Sequence, residues 1–411
     1  MKRRDFFETA MATQLGAAPL LQAAQVGTRP AMKITDIKMW LVGVGGRNLC
    51  FVKVETDQGI HGVGEAYSCG PDEATRAVVM DFKPWLVGQD PRNIEHIWNL
   101  MYNFTRFPGG MVVNAAMSGI DHALWDIAGK AAGLPTYMLL GGKVRDKIRV
   151  YQSCSGSTPR ELAENGKRLV EKYGYTALKM RPQPGKDNQL PYNAVTRQAG
   201  ERVRALRDAV GPDVDIGCDI HARFFEVRRA AALAKAIEPY HPMWLEEPIR
   251  PENEHAMQKL AEQVNIPLAS GECNYTRHEF RKILALQALD IVQPDICVCG
   301  GLLEMKKIAT MAEAHYVMVA PHNPMGPLAT VVNVHFAAST PNFLVLEYHP
   351  DDVSPRKDLL KEPLMVKDGY LPLPTKPGLG VELNEEAFKH YPPKPWHRGF
   401  DYRVDGSVAY I

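Results

Sequence analysis

Residues 214–221 read V-D-I-G-C-D-I-H, residues 243–248 read M-W-L-E-E-P, and residues 267–272 read P-L-A-S-G-E. Each run is mostly apolar and closes on or beside an acid: Asp219, Glu246 and Glu272. Successive acids lie about 27 residues apart, the length of one strand, one crossover helix and their loops in a parallel α/β unit. Carboxylates at the carboxyl ends of three consecutive parallel strands would converge at one mouth of a barrel, where such folds keep their chemistry. Oxygen ligands of this kind suit Mg²⁺, which takes few protein carboxylates and leaves positions for water and substrate.

The same rhythm extends in both directions. Residues 149–153, 176–181, 214–221, 243–247, 267–272, 291–296, 317–322 and 343–348 read as eight strands. Helical spacing fills the gaps, as in residues 195–210, 227–237, 255–263, 277–286, 305–315 and 331–338. Eight strands with such crossovers predict an α/β fold, a (β/α)7β TIM-like barrel, over residues 143–369. Upstream, residues 32–142 change pattern. A hairpin or meander around Thr56-Asp57-Gln58-Gly59 precedes helical spacing that is clearest at residues 115–132. Strands followed by helices give an α+β capping domain. Gly43-Val44-Gly45-Gly46 reads as a flexible loop and lacks the Lys-Ser/Thr ending of a phosphate loop. The Pro- and Gly-rich segment 370–411 is expected to run back onto the cap.

A chain of 411 residues can bury one large core and a smaller second one. A net charge of +1 gives no electrostatic case for nucleic acid or an anionic membrane. No apolar run reaches the length of a spanning helix. The seven cysteines, odd in number, suggest buried or inert thiols rather than a disulfide framework. Residues 1–31 differ from the rest. Arg3-Arg4-Asp5-Phe6-Phe7 ahead of an Ala-rich apolar run resembles a twin-arginine export signal, which predicts a periplasmic or exported protein, or a cytoplasmic one if the segment is a plain basic tail.

The polar residues at the strand ends, in order, are Lys179 and Arg181, Asp219 and His221, Glu246, Glu272, Asp295, His322 and Glu347. Residues two apart on a strand share a face, so the first two pairs are each expected to point inward together. Uncompensated buried charge is expensive, so seven consecutive strands ending this way read as a site rather than as packing.

These motifs resemble the enolase superfamily in its mandelate racemase branch, and within it the galactonate dehydratase type. The likeness spans residues 32–411 and rests on Lys179-Met-Arg181, Asp219-Ile-His221, Glu246-Glu247-Pro248, Gly271-Glu272, Gln293-Pro294-Asp295, Pro321-His322-Asn323 and Leu346-Glu347. It also includes K-P-G-L-G-V-E at residues 376–382 and D-G-S-V-A at residues 405–409. The resemblance implies Mg²⁺, with Mn²⁺ as an alternate, on Asp219, Glu246 and Glu272. It implies His322 as general base oriented by Asp295, His221 as general acid, and Glu347 as a hydrogen-bond partner of the substrate carboxylate, either protonated or through a strongly shared proton.

The implied reaction is dehydration of a sugar acid to a 2-keto-3-deoxy acid through an enediolate. An epimerase or cycloisomerase acting on the same intermediate, or a non-catalytic ligand-binding barrel, remains an alternative. Relatives often carry a second Lys where this chain has Arg181, which does not readily lose its proton and points to one-sided elimination. Lys179 and Arg181 are expected to bind substrate charge. His349, two residues past Glu347, is a candidate sugar contact. Substrate choice is expected to lie with residues 42–48 and 71–76, and the assembly to be a homo-oligomer, dimer or octamer.

Overall fold

The computed structural model describes residues 31–68, 70–104, 106–395 and 399–410. The leader-like segment up to residue 30 and Cys69 lie outside the described residues. The amino-terminal sheet is an antiparallel meander of β1 (Ile34–Val44), β2 (Arg47–Thr56) and β3 (His61–Ala66). Four helices follow: α1 (Asp72–Leu86), α2 (Ile94–Tyr102), α3 (Met111–Ala132) and the short α4 (Thr136–Leu139).

The expected loop at residues 43–46 is half strand and half turn: Val44 pairs with Arg47 across a two-residue Gly45-Gly46 turn. Gly45 takes a left-handed φ of 60°, which a tight hairpin demands and glycine supplies without a clash. Helix α3 lies directly on the backbone of β3. A Cβ at Gly62 would come within 1.9 Å of the Ala123 carbonyl oxygen, and one at Gly64 within 2.0 Å of that of Gly119. Glycine at alternate strand positions is therefore what allows the helix to dock.

The barrel runs β4 (Lys147–Cys154), α5 (Pro159–Tyr173), β5 (Ala177–Met180), α6 (Tyr192–Val210), β6 (Asp215–Asp219), α7 (Val227–Ile237) and β7 (Trp244–Glu246). It continues through α8 (Glu254–Ala261), β8 (Leu268–Ser270), α9 (Thr276–Ala285), β9 (Ile291–Val292), α10 (Gly301–Ala314), β10 (Met318–Val319), α11 (Pro327–Ala338) and β11 (Leu346–Glu347). Neighbouring staves pair in parallel, and β11 pairs with β4. The last gap, between β10 and β11, is bridged by Val319 with Phe343 and by the Leu344 N–H on the Val319 carbonyl at 2.8 Å. The curled sheet thus closes as a TIM-like barrel.

The bore holds Tyr151, Ala177, Trp244, Ala269, Ile291, Ala320 and Val345. Large rings there alternate with alanines. Trp244 fits because Gly217 opposite has no side chain; a Cβ there would sit 2.8 Å from the indole. Helix α5 shows why a crossover begins where it does. The Thr158 hydroxyl accepts the Glu161 N–H while Glu161 reaches back to the Thr158 N–H, Pro159 opens the first turn, and Gly174 closes the helix in the left-handed region.

Past the barrel, β12 (Tyr370–Pro372) pairs antiparallel with β4, and α12 (Glu385–Phe388) lies against the amino-terminal sheet. There Phe388 stacks on Phe51 at 5.2 Å, Lys53 meets Glu385 at 2.7 Å, and the Gly43 N–H bonds the Tyr391 carbonyl. Among the described residues no helix is long and apolar enough to cross a membrane.

Five of the six cysteines described are buried. Cys273 is exposed, with its thiol pushed well up by partial burial and by Glu247 and Glu272. It is protonated rather than reactive.

Candidate active site

The staves end earlier than the sequence pattern suggests. Asp219 and Glu246 are terminal strand residues in register with each other, whereas Arg181, His221, Glu272, Asp295 and His322 lie just beyond their strands. The expectation that strand alternation aims Asp219 and His221 together therefore needs correcting. His221 has φ of 60° in a turn that the Asp219 carboxylate pins by accepting the His221 N–H at 2.7 Å. Local hydrogen bonding, not pleat periodicity, sets its direction.

Lys179 is the charge around which the acids gather. Its ammonium lies 2.8 Å from Glu246, 3.0 Å from Glu347 and 3.5 Å from Asp219. Trp244 donates its indole N–H to the other Glu246 oxygen at 2.9 Å. Burial alone would favour the neutral amine, but these carboxylates hold the Lys179 pKa well above its usual range. The same contact holds Glu347 far below the usual carboxylate range, against its own burial. Glu347 thus accepts the Asn323 N–H as a carboxylate, and the hydrogen bond expected of it toward a substrate carboxylate requires a proton taken up or shared on binding.

On the far side, His322 and Asp295 face each other as a parallel bridge pair. His322 Nδ1 lies 2.8 Å from the Asp295 carboxylate, whose other oxygen accepts the Cys297 N–H. This leaves Nε2 of His322 toward Glu272 at 3.4 Å, and Nε2 of His221 is 3.8 Å from the other oxygen of the same carboxylate. Two imidazoles thus bracket one acid. Burial works against a charged His322, but Glu272 first and Asp295 next raise its pKa to about 10. His349 is the opposite case: burial pushes it down to about 4, so it is neutral beside Glu347.

Among the described residues no three His, Cys, Asp or Glu side chains close around a common point. The Lys179 ammonium instead supplies the cation that Asp219 and Glu246 face. The donor chemistry still fits Mg²⁺. Burial and mutual repulsion push Asp219 up to about 8, with Glu246 its foremost carboxylate neighbour, and Glu272 is pushed up to about 7 by burial and by Glu247 and Glu246. Ionised together these acids and Glu347 would outweigh Lys179 and His322, and a divalent cation among Asp219, Glu246 and Glu272 would let them give up their protons.

The outer frame of the site includes residues that the strand-end pattern did not single out. Glu65 of β3 is fully buried and takes the N–H groups of Gly326 and Ala329 at 2.6 and 2.8 Å, tying the turn after His322 to the cap. Tyr67 stacks on His322 at 6.3 Å. Glu247, the second acid of E-E-P, accepts from Ser270 and Gly271 and is pushed up to about 7. Only the E-E doublet gave a signal for any of these. Residues 42–48 face the carboxyl-terminal segment through Asn48 and Lys394, and residues 71–76 open helix α1.

A family model described as enolase C-terminal domain-like matches residues 161–387. The amino-terminal domain of the mandelate racemase / muconate lactonizing enzymes matches residues 23–141. The chain belongs to this branch of the enolase superfamily. D-galactonate dehydratases of Variovorax paradoxus and Pectobacterium atrosepticum are 38% and 39% identical over 92% of the chain and all of each relative. A crystal structure of a candidate galactarate dehydratase from Agrobacterium radiobacter, with sodium and L-malate bound, has a TM-score of 0.89 at 39% identity over 92% of the chain and all of that structure. Within the superfamily, the cap, barrel and carboxylate-lined mouth described above are this chain's own version of a shared plan.

Proposed function

We propose that the protein is a Mg²⁺-dependent sugar-acid dehydratase acting on galactonate or a relative of it, with His322 as the base that starts the reaction. The observation that carries this reading is the His322 imidazole, fixed through Nδ1 by Asp295 and presenting Nε2 to the acid cluster. A proton beside a carboxylate is weakly acidic, so positive charge near the carboxylate oxygens must lower the barrier. Asp219, Glu246 and Glu272 would hold the cation, which supplies Lewis-acid stabilisation when bound.

The remaining work falls to the chain. Lys179, charged and anchored by three carboxylates, is placed to bind substrate negative charge. His322 takes the proton from the carbon next to the carboxylate. The bond from the adjacent carbon to its hydroxyl then breaks, with His221 donating the proton that makes the leaving group water. The resulting enol becomes a 2-keto-3-deoxy acid. Base action requires a neutral His322, and the strongest upward pull on its pKa is the Glu272 charge. With Glu272 engaged as a metal ligand, that pull would weaken and the His322 imidazole would fall toward a working range.

The test is a panel of acid sugars assayed for 2-keto acid, with and without Mg²⁺ after chelation. Metal-dependent keto-acid formation from at least one aldonate or aldarate is expected. Solvent deuterium entering recovered substrate with no keto product would replace this reading with an epimerase.

A further inference from the structure

A second feature of the mouth lies between the first two staves. A cavity of about 470 Å³ opens between the β4–α5 loop and the segment after β5, walled by Ser155, Ser157, Arg181, Gln183 and Arg202. Arg181 is solvent-accessible and, among the described residues, has no ion-pair or hydrogen-bond partner for its guanidinium. The neighbouring Arg223, by contrast, is tied to Asp187 and Asp401 at 2.8 Å each.

The walls are preformed. Arg202 donates to the carbonyls of Gly156, Ser157 and Arg181, stitching the two loops together, and its Nε is buried with no partner. Glu161, the one acid in the wall, spends a carboxylate oxygen on the Ser157 and Thr158 N–H groups. The cavity also adjoins the reaction centre. Gln183 donates its amide N–H to the Ile220 carbonyl at 2.8 Å, between Asp219 and His221, and its own oxygen is buried without a partner. Arg181 stands two residues from Lys179 and feels the Asp219 charge.

We infer that this cavity receives the far end of the substrate and that Arg181 binds a second carboxylate there, making a sugar diacid the preferred substrate over the corresponding monoacid. Serine hydroxyls and the Gln183 amide suit a polyhydroxylated chain, and a planar guanidinium suits a terminal carboxylate with two parallel hydrogen bonds. The inference rests on the dehydratase reading and narrows it.

The full chain with Mg²⁺ is assayed on galactarate and galactonate, which differ at the terminal carbon, in the wild type and in Arg181→Met and Arg181→Lys. The wild type is expected to favour the diacid in kcat/KM. Arg181→Met is expected to cut that preference roughly ten- to hundredfold, mainly through KM, the size of a lost charge-assisted hydrogen bond, and Arg181→Lys to restore part of it. Calorimetric binding of galactarate against galactonate in a His322→Asn background, which needs no turnover, should show the same preference and its loss when Arg181→Met is added.

A wild type that prefers the monoacid, or a preference unchanged in a folded Arg181→Met, overturns the inference and leaves the dehydratase reading standing. A wild type that dehydrates no sugar acid overturns that reading instead, while the calorimetric preference still decides whether the carboxylate subsite exists.

Discussion

Asp126 in helix α3 and Asp219 at the end of β6 are both buried carboxylates, and they are treated in opposite ways. Asp126 sits at the seam between cap and carboxyl-terminal segment with every oxygen engaged. One accepts the Leu379 N–H at 2.8 Å, and the other takes the Val63 N–H at 3.0 Å and the Lys130 ammonium at 2.9 Å. Lys130 in turn reaches Glu382, which also meets His61. At the mouth, Asp219 shares one ammonium with two other acids and is repelled by Glu246 and Glu272. Burial with complete satisfaction holds a fold together, whereas burial with surplus charge waits for a ligand.

The sharpest way to break this contrast is at the mouth. His322→Asn should lower kcat by about 10²–10⁴-fold, the contribution of a positioned base, while calorimetric Mg²⁺ affinity stays close to that of the wild type. Turnover within tenfold of the wild type would remove His322 from the reaction. At the seam the loss should be structural. Asp126→Ala leaves the Val63 and Leu379 N–H groups buried without their acceptor and Lys130 with Glu382 alone among acids, and is expected to cost about 2–4 kcal/mol, read as an earlier denaturation midpoint. The folded fraction should keep its kcat to within about twofold, since the two places share no side chain.

A third measurement compares melting with and without Mg²⁺ across pH. Without the cation, Asp219 and Glu272 titrate in the fold at about 8 and about 7, above their unfolded values near 4, so stability drains away as pH rises through that window. His322, raised to about 10, adds stability that is complete below about 6.5 and is lost as pH climbs through 10. Both signs agree, so the Mg²⁺ gain in melting temperature should grow from pH 5 to pH 8. An equal gain at both ends would mean the cation binds elsewhere. The smallest effect belongs to His61→Gln. The His61 and Glu382 side chains are 34% and 40% exposed, and loss of their pairing should shift stability by under about 1 kcal/mol.

Much of this architecture is legible in one dimension. Eight apolar runs at regular spacing announce the staves because a stave buried on both faces needs a short unbroken apolar stretch. The acids Asp219, Glu246 and Glu272 stand out because each follows such a run directly. Glu65 and Tyr67 do not stand out. They come from the antiparallel cap, more than two hundred residues before the His322 turn they hold, and nothing local marks a carboxylate that will cap a distant backbone. Arg181 was visible as a departure from a family habit, but its lack of a partner, and the cavity beside it, appear only when two loops are stitched by Arg202.

By itself, then, the amino-acid order determined the kind of barrel, the identity of its mouth residues and the class of chemistry they suit, because periodicity and residue type are local properties. Only the tertiary structure decided which charges are satisfied and which are left over. Lys179 among three acids, Glu347 held as a carboxylate by that ammonium, and His221 set against Glu272 all depend on through-space distances between separate staves. Electrostatic energy follows those distances, and no spacing along the chain encodes them.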